Sequence, residues 1–289
     1  MDFLRPSSWT EALELRAEHP DALPLAGGTD VMVEINFDRR RPSALLDLTR
    51  VVELGEWDRA DDVVRLGAGV TWTRVLTELA GLLPGLAAAS RTVGSSQIRN
   101  RGTVGGNVGS ASPAGDAHPV LLAVGASVEV ASVRGVRRLP AEHFFTGVKS
   151  SALAADELIA AVHLPVTGAP QQFAKIGTRN AMVISVLAFG LALHPERREV
   201  GTGIGSAAPT PVRAREAEAF LAVALEESGL WESRGGLPGS AVGRFADLVA
   251  AASSPIDDVR GTAAYRRHAL GVLARRTLGW AWSDYQEAA

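Results

Sequence analysis

The sequence predicts a mixed α/β fold, of the α/β or α+β class, divided into two domains. Three observations carry this. Apolar runs of strand length alternate with segments of helical periodicity along the chain. Two glycine-rich stretches, Gly27-Gly28 and Gly102 to Gly109, fall within that alternation, the first directly after a strand. A Gly- and Pro-containing break, Val166-Thr167-Gly168-Ala169-Pro170, separates a longer first part from a shorter second one, and 289 residues are enough for two cores.

In chain order, Ser8-Trp9-Thr10-Glu11 has the form of a capping box and predicts a helix to Glu18, which His19-Pro20-Asp21 breaks. Ala22 to Ala26 is a short apolar strand that ends in Gly27-Gly28-Thr29-Asp30. Val31 to Ile35 can then form a helical turn. A strand, a glycine pair, a threonine and a helix start together give the geometry in which backbone amides and a hydroxyl hold a phosphate; a helix merely capped by Thr29 or Asp30 has the same pattern. Ala44 to Leu48 and Val63 to Gly69 are further strands. Thr71 caps a helix whose Trp72, Val75, Leu76 and Leu79 share one core-facing stripe, and Leu82 to Ala89 continues helical with an interruption at Pro84-Gly85.

The most specialised stretch is Ile98 to Asp116, in which five of nineteen residues are glycine. It reads as a loop whose inward-turned N–H groups make an anion site, or as a glycine-rich surface turn. Two glycine loops in one chain favour a dinucleotide cradle over coincidence. Asp116 then stands where a helix over Val120 to Val124 begins, either as its cap or as a carboxylate at the cradle rim. Ser127 to Ala131 and Val136 to Leu139 predict a hairpin, and Glu157 to Leu164 a strand. Beyond the linker, Phe173 to Ile176, Val186 to Leu193 and the Gly201-Thr202-Gly203-Ile204-Gly205 run are strand-like. Helices follow at Val212 to Glu227, Gly243 to Ala252 and Thr262 to Leu278, with Trp280 to Ala289 left as a tail.

Composition narrows the chemistry. A net charge of −3 with no like-charge block beyond Arg39-Arg40-Arg41 argues against a nucleic-acid binder. Zero cysteines exclude disulfides, thiolate nucleophiles and cysteine-held clusters on this chain. The six histidines never stand three or four residues apart, so no bound metal is expected. There is no nucleophile elbow, and Gly147-Val148-Lys149-Ser150 lacks Walker spacing, so no catalytic side chain is assigned and any chemistry has to come from a cofactor. No export signal or membrane-length apolar run is seen, and a cytoplasmic chain is expected.

Four motifs in order, Leu25-Ala26-Gly27-Gly28-Thr29-Asp30, Thr103-Val104-Gly105-Gly106-Asn107, Ala111-Ser112-Pro113-Ala114-Gly115-Asp116 and Lys175-Ile176-Gly177-x-Arg179-Asn180-Ala181, make the chain resemble the FAD-binding medium subunit of molybdenum hydroxylases. That family includes xanthine dehydrogenase, carbon monoxide dehydrogenase and aldehyde oxidases. The resemblance implies a two-lobed flavin domain of the vanillyl-alcohol-oxidase kind over residues 1–167, with lobes at about 1–55 and 56–167, followed by a C-terminal α+β domain over 168–289. It implies noncovalent FAD, held by Leu25 to Val31 and by Thr103, Val104, Gly105, Gly106 and Asn107 through amides and the hydroxyls of Thr29 and Thr103. Asp116 would meet the adenosine end or fix the loop, Ile159 would line the site largely through backbone and packing, and Lys175 would lie towards the isoalloxazine ring. Val93 stands where some relatives have an aromatic residue. The implied role is electron transfer within a dimer of heterotrimers. There a large subunit carries the molybdenum cofactor, a small one carries 2Fe-2S clusters, and FAD passes electrons to NAD, a quinone or oxygen. A free-standing flavin oxidoreductase and a nucleotide-binding module without redox role are the alternatives.

Overall fold

The computed structural model describes residues 1–166 and 168–288; Thr167 of the predicted linker and Ala289 of the predicted tail lie outside the described residues. The first part contains β1 (Asp2–Leu4), α1 (Trp9–Glu18), β2 (Leu23–Leu25), α2 (Val31–Asn36) and β3 (Ala44–Asp47). Its three strands form a parallel sheet with β3 in the middle, where Leu45 faces Phe3 on one side and Leu23 on the other. Parallel neighbours need a crossover, and α2 supplies the one between β2 and β3. Ser8 caps α1 by accepting from the Glu11 amide. The Glu11 carboxylate reaches the Ser7 N–H at 2.7 Å, one residue before the position a capping box requires.

The next segment holds β4 (Trp57–Ala60), β5 (Val63–Gly67), α3 (Trp72–Glu78), α4 (Pro84–Arg91), α5 (Ser96–Arg101), α6 (Val104–Ser110), α7 (His118–Ala123), β6 (Ser127–Ser132), β7 (Gly135–Pro140), α8 (Ala141–Phe144), β8 (Phe145–Gly147), β9 (Ser150–Ser151) and β10 (Leu158–Pro165). Five strands make an antiparallel sheet in the order β4-β5-β10-β6-β7. The predicted interruption at Pro84 is a start, because proline suits the first helical turn, where its missing N–H has no partner to lose.

After residue 167 come β11 (Gln171–Ile176), β12 (Leu187–His194), β13 (Glu199–Gly205), α9 (Arg215–Glu227), α10 (Leu230–Ser233), α11 (Gly239–Ala251) and α12 (Ala263–Glu287). The strands form an antiparallel sheet in that order. Phe189, Leu191, Leu221, Phe245 and Leu278 build a core distinct from the one around Leu66, Val75 and Val128. The predicted tail is helical instead: α12 runs on to Glu287, because Leu278, Ala281, Trp282 and Tyr285 continue its buried face. Among the described residues no helix is long and apolar enough to cross a membrane.

The opposite face of this sheet rests on α7. Gly201 and Gly203 are two apart on β13 and so share a face. A Cβ at Gly203 would stand 1.9 Å from the Pro119 carbonyl oxygen, and one at Gly201 1.9 Å from that of Ala123. Glycine is required here so that the backbone of α7 can touch the strand.

Candidate active site: a two-walled nucleotide cradle

The first wall is the turn from β2 into α2. Leu25 is buried at the strand end, and Val31 packs with Ile35 on a small cluster of Leu23, Leu25 and Leu45. Gly28 carries a φ of +74°, a conformation that suits glycine and turns the chain from strand to helix. Asp30 occupies the cap position, but no side chain caps α2, so neither Thr29 nor Asp30 fills the structural role open to it. From Gly27 to Val31, no backbone N–H finds a protein acceptor among the described residues. Five consecutive free amides at a strand-to-helix turn suit a diphosphate.

The second wall corrects the sequence reading. Ile98 to Asp116 is not an open loop, because Thr103 caps a helix, α6, built largely of glycine. Its N-terminal amides are already used: Val104 N–H donates to Val70 O at 3.0 Å, Gly105 to Ala68 O at 2.9 Å and Gly106 to Thr103 Oγ1 at 3.0 Å. The Asn107 amide is used as well, on Thr103 O, so of the amides from Thr103 to Asn107 only that of Thr103 finds no protein acceptor among the described residues, and the expected nest of successive free amides is not formed. What the stretch presents is the exposed Gly106 and Gly109 and the half-buried Asn107, while Thr103 is buried beneath them. A Cβ at Gly105 would stand 2.4 Å from Ala68 Cβ, so only glycine lets α6 lie on the end of β5. Ile159 is buried beneath α6, and its Cδ1 is 3.3 Å from the position a Cβ on Gly109 would take.

The two walls meet. A Cβ on Gly27 would lie 2.0 Å from the Arg101 carbonyl oxygen and 2.8 Å from Gly102 Cα. The glycine segments, some 75 residues apart, are thus in backbone contact. The sequence offered no sign of this from Gly27 alone. The segment Gly67-Ala68-Gly69, read as the end of a strand, also proves to be the support on which α6 rests.

At the far end of α6, Asp116 is no cap: α7 starts without a side-chain cap bond. Its Oδ2 instead accepts from Lys175 Nζ at 2.9 Å, and Nζ also donates to Thr92 O at 3.2 Å, so the two residues do not stand at opposite ends of a cofactor as the resemblance had implied for an adenosine-end Asp116. Both side chains are largely buried. Burial pushes the Asp116 carboxyl up to about 6, against the downward pull of the Lys175 ammonium. His118 is fully buried between Gly115 and Phe145, its Nε2 lies 3.2 Å from Asn107 O, and burial pushes its pKa down to about 4. Asn107 Oδ1, Asp116 Oδ1 and His118 Nδ1 are buried without a partner. Buried polar atoms are rarely left so, and their unused capacity on Asn107 and Asp116 leaves both able to accept a further bond. Lys175 also opens onto a cavity of about 460 Å³ lined by Thr92, Arg91, Arg99 and Arg179, next to Val93. The free amides of Gly27 to Val31 are the part of the site that suits a phosphate-bearing ligand, and the Lys175 ammonium is a second polar group within the matched fold.

Comparison with known proteins agrees. Residues 1–167 match the family model described as the FAD binding domain in molybdopterin dehydrogenase. The chain is 33% identical over 229 residues to the xanthine dehydrogenase FAD-binding subunit of Escherichia coli O157:H7, covering 74% of this chain and 76% of that one. It is 31% identical over 280 residues to the nicotine 6-hydroxylase medium subunit of Paenarthrobacter nicotinovorans, covering 96% and 95%. Among solved structures it superposes on a chain of carbon monoxide dehydrogenase from Hydrogenophaga pseudoflava with a TM-score of 0.87 and 26% identity, over 98% and 97% of the two chains. The chain belongs to the family of FAD-binding medium subunits of molybdenum hydroxylases.

Proposed function

We propose that this chain carries noncovalent FAD as the electron-transfer subunit of a molybdenum hydroxylase complex. In this reading, 2Fe-2S clusters on a small partner deliver electrons, and an external acceptor, NAD, a quinone or oxygen, removes them. A large partner bears the molybdenum cofactor and oxidises the substrate, in a cytoplasmic dimer of heterotrimers. Bound FAD supplies the step between one-electron clusters and a two-electron acceptor. The absence of cysteine fits, since clusters then belong to a partner.

The observation that carries the reading is the run of free amides from Gly27 to Val31, set in backbone contact with Arg101-Gly102 inside the matched region. In this assignment Leu25, Ala26, Gly27, Gly28, Thr29, Asp30 and Val31 bind the diphosphate side. Thr103, Val104, Gly105, Gly106 and Asn107 form the opposite wall, with Ile159 packed beneath. Asp116 and Lys175 hold the far end, where the ammonium favours negative charge on a bound ring. His118 is enclosed and bonded to Asn107, which supports a noncovalent mode. Residues 1–167 would be the FAD domain and 168–289 the C-terminal domain.

The test is the visible spectrum of the purified complex and of the chromophore released by acid. Flavin bands and free FAD are expected, and Gly28→Asp should abolish both by setting a carboxylate among the free amides and straining a φ of +74°. A folded wild-type protein that releases no flavin with acid and takes up no added FAD would overturn the reading.

A further inference from the structure

The sequence holds two lysines among its 29 basic residues, at 149 and 175. Lys175 belongs to the far end of the cradle. Lys149 stands at the tip of the β8–β9 hairpin with a left-handed φ of 54°. Its N–H donates to Ala111 O at 3.1 Å, and Ala111 is itself the left-handed residue that ends α6. Its ammonium reaches the other wall and pairs with Glu34 on α2, where Arg40 is also 3.6 Å from the carboxylate. One residue therefore has its backbone fixed to the second wall and its charge fixed to the first.

That matters because α2 is weakly held. None of its side chains is fully buried, and Val31 and Ile35 rest only on the small cluster of Leu23, Leu25 and Leu45, separate from the main core. A helix with so little apolar anchorage opens easily, and it would take the free amides of Gly27 to Val31 with it. The Lys149–Glu34 pair joins that helix to the end of α6.

We propose that Lys149 is a cofactor-positioning residue: through Glu34 it latches α2 against α6 and so slows the loss of FAD from the cradle. The proposal rests on the FAD reading above. The pair is solvent-exposed, with Lys149 at 62% side-chain exposure, so the effect is a matter of several-fold and is screened by salt.

The test is the rate of FAD release from the assembled complex, followed by recovery of free-flavin fluorescence at low and high salt. At low salt Lys149→Gln and Glu34→Gln should each release FAD about three- to fivefold faster than wild type, and the double variant no faster than either. High salt should bring wild type to the variants' rate, and Lys149→Arg should restore slow release. In the same variants, amide hydrogen exchange over Gly27 to Ile35 should quicken while the far-UV spectrum and melting temperature hold. Unchanged release and exchange in FAD-bearing variants, or additive effects in the double variant, would overturn the latch alone. Wild-type complex without FAD would overturn the cofactor reading and the latch together.

Discussion

Asp116 and His118 stand two residues apart and are perturbed in opposite directions by the same cause, burial. The Asp116 carboxyl binds its proton more tightly in the folded state, about 6 against 3.8, so its contribution to stability grows as pH falls through that interval. The His118 imidazole binds its proton less tightly, about 4 against 6.5, so its contribution shrinks as pH falls through an overlapping window. Each shift is on the order of 3 kcal/mol when fully developed, and in wild type the two offset one another. Urea denaturation at neutral pH and near the lower end of these windows separates them. Relative to wild type, His118→Gln should gain stability on acidification and Asp116→Asn should lose it; two variants that track wild type would show that neither group titrates as its burial dictates. The sequence identified Lys175 as a site residue only through the resemblance and left Asp116 open between a helix cap and the cradle rim. Their pairing was not legible, because the partners are 59 positions apart on different elements and nothing local in either requires the other.

At the scale of the element, α6 shows why glycine content misled. Glycine costs about 1 kcal/mol per residue in a helix, so Gly105-Gly106 and Gly109 argued for a loop. One local and one tertiary feature outweigh that: the Thr103 cap and the backbone contact with Ala68 that only glycine permits. Thr103→Ala should lower stability by about 1 kcal/mol, and thermal melts measure it. Gly105→Ala, although it raises helix propensity, should destabilise by about 1–3 kcal/mol by pushing α6 off Ala68 and should lower FAD content in parallel. A more stable Gly105→Ala protein would mean that the helix has room to shift. The β2 turn was legible because its grammar is local, strand then glycine then helix start. The end of α12 was missed for the opposite reason: the apolar stripe passes from leucines to Ala281, Trp282 and Tyr285, and the two exposed neighbours Gly279 and Trp280 interrupt the pattern.

At the scale of the molecule, the alternation of strands and helices made the mixed fold legible. The docking of its parts was not. Gly201-x-Gly203-x-Gly205 read as a strand, which it is, but its glycines are explained only by α7, which precedes it by some 80 residues. His194 adds to the contact, its Nε2 lying 3.2 Å from Ala123 O. Gly203→Ala should therefore act at a distance. By lifting α7 it should pull Asp116 from Lys175, lower the melting temperature and alter the flavin spectrum, although Gly203 is far from the free amides in sequence. An unchanged spectrum in a destabilised Gly203→Ala protein would restrict the contact to stability.

At Gly201 and Gly203 the backbone of β13 lies directly on the carbonyls of α7, with no side chain of the strand between them. The helix that follows Asp116 is thereby seated backbone to backbone on the sheet that bears Lys175. Compliance in the cradle is then concentrated at the opposite end, in α2 with its few apolar anchors. The molecule thus pairs a closely packed end at the buried ion pair with a sparsely anchored one at the free amides.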